Sequence, residues 1–174
     1  NNPYGVDFIV HGNGFSGNEE PGGIQVKSEK EGTWYDIAGS EHYEDETITN
    51  YEVTYSNPHD DFSENAKDVP WVDSEGKEGV VNANNFHRQP YYPNSENYNT
   101  KTLNVSNEQI SYSGVKLTNR KVKFGYADVF PEGSRNGDAT NPYTTEQKGA
   151  PIDLSWAVDS AGQPVHLEEV KYVK

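Results

Sequence analysis

The chain has 174 residues and a formal net charge of -14, from 28 Asp+Glu against 14 Lys+Arg, with 12 Tyr, 3 Trp, no Cys and no Met. Zero cysteine excludes a disulfide scaffold, thiol catalysis and cysteine-ligated metal. The acidity argues against nucleic acid and anionic lipid, which are bound mainly through Lys and Arg, and no apolar run approaches the ~20 residues of a membrane span.

The length suits one domain, residues 1–174. Only 32% of the residues are hydrophobic, a composition that leans toward disorder. Several segments nevertheless alternate apolar and polar residues with period two, as half-buried strands do.

In chain order, Val6–Val10 is the first predicted strand, with Val6, Phe8 and Val10 on one face. The Gly/Asn-rich stretch His11–Phe15 ends it. Ile24–Lys27 and Trp34–Ile37 form a predicted hairpin across Glu29-Lys30-Glu31-Gly32. Ile48–Tyr55 alternates clearly, and Asn57-Pro58 stops it. The stretch from His59 to Thr100 has little period; short strands are expected around Trp71-Val72 and Val80-Val81. Val115/Leu117 and Val122/Phe124/Tyr126 alternate again across Thr118-Asn119-Arg120. A second loop, Phe130–Gly149, follows. Leu154, Trp156 and Val158 are expected to share a strand face, with Trp156 and Trp34 in the core. Ser160-Ala161-Gly162-Gln163 turns into Val165/Leu167 and Val170/Tyr172. No helix and no internal repeat is evident. Many short strands joined by polar turns predict an all-β fold, an antiparallel β-sandwich with long loops. An abrupt start at Asn1 and a stop at Lys174 within an alternating run suggest a part excised from a longer protein.

Several stretches, in order along nearly the whole chain, resemble a family of bacterial cell-surface proteins. They are Gly5–Val10 with Gly12–Phe15, Glu20-Pro21-Gly22, Trp34–Glu41, Ile48–Tyr55, His87–Pro93, Phe124–Asp128 and Asp153–Asp159. The resemblance implies a secreted or surface-anchored module with a jelly-roll-like β-sandwich, often beside other domains of the same protein. It implies no catalysis, and it implies a further strand before Asn1 and more chain after Lys174.

The residues themselves offer few chemical signatures. Carboxylates are too many for any pair to stand out as a glycosidase couple. Gly39-Ser40-Glu41-His42 lacks a nucleophile elbow. The five histidines show no zinc spacing. Calcium is the metal this composition suits, because it takes carboxylate, amide and carbonyl oxygens. Asp128, Asp153 and Asp159 flank predicted strands and are its candidate ligands; the alternative is that each caps a turn through backbone amides. No EF-hand loop is present.

The middle loop gathers Trp71, Asn85, His87, Tyr91 and Tyr92, flat rings beside amides, as a sugar site requires. The alternative is that Tyr91-Tyr92-Pro93 anchors the loop on the sheet. The expectation is therefore a non-catalytic extracellular binding or adhesion module for glycan or another polar ligand. The alternatives are a surface-layer or filament subunit assembled by strand addition, a nutrient-capture domain and a glycan hydrolase.

Overall fold

The computed structural model describes residues 5–11, 20–59, 66–84, 92, 108–117, 122–129 and 149–174. These form β1 (Phe8–Val10), β2 (Gly22–Gly23), β3 (Gln25–Lys27), β4 (Tyr35–Ile37), β5 (Ile48–Ser56), β6 (Val69–Asp73), β7 (Glu78–Val81), β8 (Gln109–Lys116), β9 (Tyr126–Ala127), β10 (Ala150–Ile152), β11 (Ala157–Val158) and β12 (Tyr172–Val173). The fold is all-β, and the strand pairs are antiparallel. The chain divides into two compact units, Asn1–Asn50 with Gly114–Lys174, and Tyr51–Ser113.

The first unit layers three small sheets, β1-β10, β2-β9 and β11-β4-β3-β12, around one apolar core. Ile24, Val26, Ile37, Tyr126, Ala150, Ile152 and Ala157 are its buried centre. The predicted hairpin is β3-β4, in the register Gln25↔Asp36 and Val26↔Tyr35. Its turn closes through the Gly32 amide onto the Glu29 carbonyl at 2.9 Å. Alternation puts Val26 and Ile37 on the core side of these strands.

Two tryptophans depart from expectation. Trp156 lies in a 3₁₀ turn, Leu154–Trp156, and not on a strand face. Asp153 Oδ1 accepts from the Ser155 amide at 2.8 Å, and Asp7 Oδ2 accepts from the Leu154 amide at 2.8 Å. These two bonds satisfy the amides that a strand would have paired elsewhere. Ala157 is then fully buried, and Trp156 is half-buried against Phe124, with ring centroids 5.0 Å apart. Trp34 is also half-buried, at the sheet margin rather than in the core. The run Val122/Phe124/Tyr126 is likewise not one strand. Gly125 has a φ of 81° and breaks it, so Phe124 is exposed, while Tyr126 is buried in the core and Val122 packs at its margin.

The second unit carries the sheet ordered β7-β6-β5-β8. The weakly periodic middle of the sequence thus supplies two strands at the expected places, Trp71-Val72 in β6 and Val80-Val81 in β7.

A motif that sequence inspection missed recurs in both units. Val72-Asp73-Ser74-Glu75-Gly76-Lys77 and Val158-Asp159-Ser160-Ala161-Gly162-Gln163 fold into the same turn. In each, the Asp Oδ1 accepts from the amides two and four residues on, at 2.8–2.9 Å. The glycine three residues on has a φ of 76° or 73° and donates to the Asp carbonyl. Only the environments differ. Asp73 is buried and also accepts from the Tyr51 hydroxyl at 2.6 Å, whereas Asp159 is half-buried. Asp159→Ala is therefore expected to cost about 1 kcal/mol, and Asp73→Ala about 2 kcal/mol, because the latter removes a buried acceptor and one more partly buried hydrogen bond. Urea denaturation of both variants checks this; equal losses would show that burial does not govern the turn.

Candidate functional site

Strand register assembles an aromatic strip on one face of the second unit's sheet. Tyr55 on β5 is the direct cross-strand partner of Trp71 on β6, so both rings stand on the same face. Tyr112 on β8 meets Tyr55 edge-on, with ring centroids 6.3 Å apart and planes at 63°. On β7 the partner of Trp71 is Gly79. A Cβ there would stand 2.6 Å from the indole, so the glycine makes room for it. The strip thus crosses three neighbouring strands, roughly 10 Å at ordinary strand spacing. Tyr112 is 40% exposed, and Trp71 and Tyr55 are half-buried. Burial pushes the Tyr55 phenol above its ordinary value, and Tyr112 adds to this. The Tyr55 phenol stays protonated at neutral pH, able both to donate and to accept.

Beside the strip, Tyr51 donates to Asp73 Oδ2, and its phenol is pushed up to about 12, first by burial and then by that bond. Of the sequence-predicted ligand residues, Trp71 lies in the strip. Tyr92 is buried, 6% exposed, so its ring fills space rather than presenting a face. Burial raises its phenol, with Glu108 and Tyr112 contributing. Asn85, His87 and Tyr91 lie outside the described residues. Tyr55 and Tyr112 were not singled out from sequence. Their period-two alternation was the available signal, but only the register Tyr55↔Trp71 shows which rings share a face.

The candidate calcium ligands are dispersed in role. Asp153 caps the 3₁₀ turn, and Asp159 closes its own turn. Asp128 holds a left-handed backbone, φ 55°, a conformation Asp tolerates. Cap geometry accounts for Asp153 and Asp159 without a cation. Among the described residues, no group of three or more His, Asp or Glu is placed to hold a metal ion.

His42 is a separate buried polar group, 4% exposed, with an Nδ1 that has no hydrogen-bond partner among the described residues and a ring edge-on to Tyr43 at 4.9 Å. Burial lowers its pKa, and the charge of Asp36 opposes this. The unfolded chain therefore binds the proton more readily. The His42 contribution is fully present above about pH 6.5 and is lost as pH falls toward the lower folded value. Denaturation midpoints compared between pH 7.5 and pH 5.5 are expected to fall more for the wild type than for His42→Asn; parallel curves would reject this.

No helix among the described residues is long and apolar enough to cross a membrane. No protein-family model matches the chain and no curated protein matches its sequence, so the geometry of the strip carries the functional reading.

Proposed function

We propose that the chain is a non-catalytic, extracellular cell-surface module that binds glycan along the aromatic strip. The observation that supports this reading is the strip itself: Trp71, Tyr55 and Tyr112 aligned across adjacent strands, partly open to solvent. Flat rings on a rigid sheet bury the C–H faces of sugar rings at low conformational cost. Their phenols and neighbouring polar groups can read hydroxyls. Bacterial origin and a jelly-roll connectivity belong to the same proposal, from the family resemblance.

A glycan screen with the whole chain, followed by titration of the best binder, tests it. Tyr112→Ala is expected to weaken binding about tenfold, near 1.4 kcal/mol, with little change in Tm, because an exposed ring contributes little to the core. Trp71→Ala should weaken binding further. Undiminished affinity in Tyr112→Ala would remove the strip from the reading.

One observation favours a second reading, assembly by strand addition. Among the described residues, strand β7 has a strand neighbour on one side only, and its Val80 and Val81 are 47% and 40% exposed. An open, apolar edge can accept a strand from another chain. Under this reading, light scattering shows concentration-dependent polymers that Val80→Lys abolishes, while glycan titrations stay flat.

A further inference from the structure

At the β12 edge of the sheet β11-β4-β3-β12, two lysines far apart in sequence share one indole. Lys27 Nζ lies 4.6 Å from the Trp34 ring centroid and 5.1 Å from that of Tyr172; Lys174 Nζ lies 4.6 Å from Trp34. Their positions follow from pairing. Lys27 and Tyr172 are register partners across β3 and β12. Lys174 exchanges backbone hydrogen bonds with Gln25 at 2.8 and 2.9 Å. Lys27 Nζ also donates to the Lys30 carbonyl at 2.6 Å, which holds the ammonium over the two rings.

Neither ammonium has a carboxylate within ion-pair distance among the described residues. The acids on this edge make other hydrogen bonds or ion pairs, although the Asp36 charge still acts on Lys174. Asp36 Oδ1 accepts from Gln25 Nε2 at 2.6 Å, and Glu29 and Glu169 pair with Lys171 at 2.9 and 3.0 Å. The Lys174 ammonium is held below the ordinary lysine value: burial is the largest cause, Asp36 opposes it and Lys27 adds to it. Two preorganised, mutually repelling cations, neither in an ion pair among the described residues, lie beside a tyrosine that is 37% exposed.

We propose that this edge is an anion site for an acidic polysaccharide, with Lys27 and Lys174 on the carboxylate or sulfate and Tyr172 against the sugar ring. The net charge of -14 does not forbid it. At physiological salt, charges beyond about 8 Å are largely screened, so the two ammoniums at contact distance dominate. The exposed ring favours a sugar over a bare acidic peptide, because the sugar supplies C–H faces along with its anion. This site is built on the first unit and the aromatic strip on the second, and the two proposals stand or fall separately.

The test is calorimetric titration of the whole chain with polygalacturonate, dextran sulfate and neutral dextran. At least one acidic polymer is expected to bind and dextran is not; which acidic polymer binds assigns carboxylate or sulfate. Raising salt from about 0.05 to about 0.5 M should weaken binding about tenfold or more. The double change Lys27→Gln/Lys174→Gln should do the same with Tm retained, and Tyr112→Ala should leave this binding intact. Equal binding of dextran, or indifference to the lysine changes, overturns the proposal. Loss in Tyr112→Ala would move the acidic polymer to the strip and also overturn it. Salt-sensitive self-association abolished by the double change, without polymer binding, would assign the edge to a second copy of the chain instead.

Discussion

Replacing Tyr126 by alanine is expected to destabilise the protein by about 3–5 kcal/mol, the cost of emptying a large aromatic site. Tyr126 is 1% exposed and is one of the largest fully buried side chains among the described residues. It stands on β9, and its ring joins the cluster of Ile24, Val26, Ile37 and Ile152. Its hydroxyl accepts from the Glu41 amide at 3.2 Å and so ties the 39–47 turn to the core. Tyr126→Phe keeps the ring and strands that amide, so its cost should be near 1 kcal/mol.

The phenol also predicts an alkaline signature. Its pKa is pushed up to about 12, chiefly by burial, with the Glu41 amide opposing and the Glu41 charge adding. The native state therefore holds the proton more tightly than the unfolded chain, whose tyrosines titrate near 10. The stabilisation is complete below about pH 10 and is lost as pH rises toward 12. Guanidinium unfolding of wild type, Tyr126→Phe and Tyr126→Ala separates the ring from the hydroxyl. A Tyr126→Ala midpoint close to wild type would refute the core assignment.

Gly125→Ala is expected to cost about 3 kcal/mol, and Gly39→Ala a similar amount, through overpacking rather than a cavity. The two glycines lie against each other. Gly125 has a φ of 81°, and a Cβ on it would collide with the Gly39 Cα and come within 3.1 Å of the Gly39 nitrogen. A Cβ on Gly39 would stand 2.6 Å from the Phe124 carbonyl oxygen and strike the Tyr126 ring. The Phe124 oxygen already accepts from the Ser40 amide at 3.0 Å, so the backbones are held at this distance and cannot yield cheaply. A left-handed alanine at position 125 adds a further ~1–2 kcal/mol of backbone strain. The expected result is a lower denaturation midpoint with an unchanged slope, the mark of lost stability with the unfolding surface conserved. An unaltered midpoint in Gly125→Ala would show that the two backbones part freely.

Local pattern was enough wherever a strand was half-buried and its turn was nearby. The alternation of Val26 with its polar neighbours, the Glu29–Gly32 turn and the alternating Tyr51, Val53 and Tyr55 placed β3, β4 and β5 from sequence, because period two and turn chemistry are local properties. The all-β, antiparallel class followed for the same reason. Trp156 escaped because its 3₁₀ turn is capped by Asp7, 147 residues earlier, and no window of sequence contains that bond. Alternation puts Trp34 in the core because it records burial of a face and not its partners. Its lysines are brought to it by the pairing of β12 with β3.

The aromatic strip shows the same division. The sequence by itself determined that aromatic residues would be abundant, and it pointed to those of the middle loop as candidates for a polar ligand. Only tertiary structure decided which of them act together. Cross-strand register joined Trp71 to Tyr55 and Tyr112, and packing withdrew Tyr92 from solvent. The paired residues are separated by many positions along the chain, and the closure of those loops, not any local preference, brings the rings to one face.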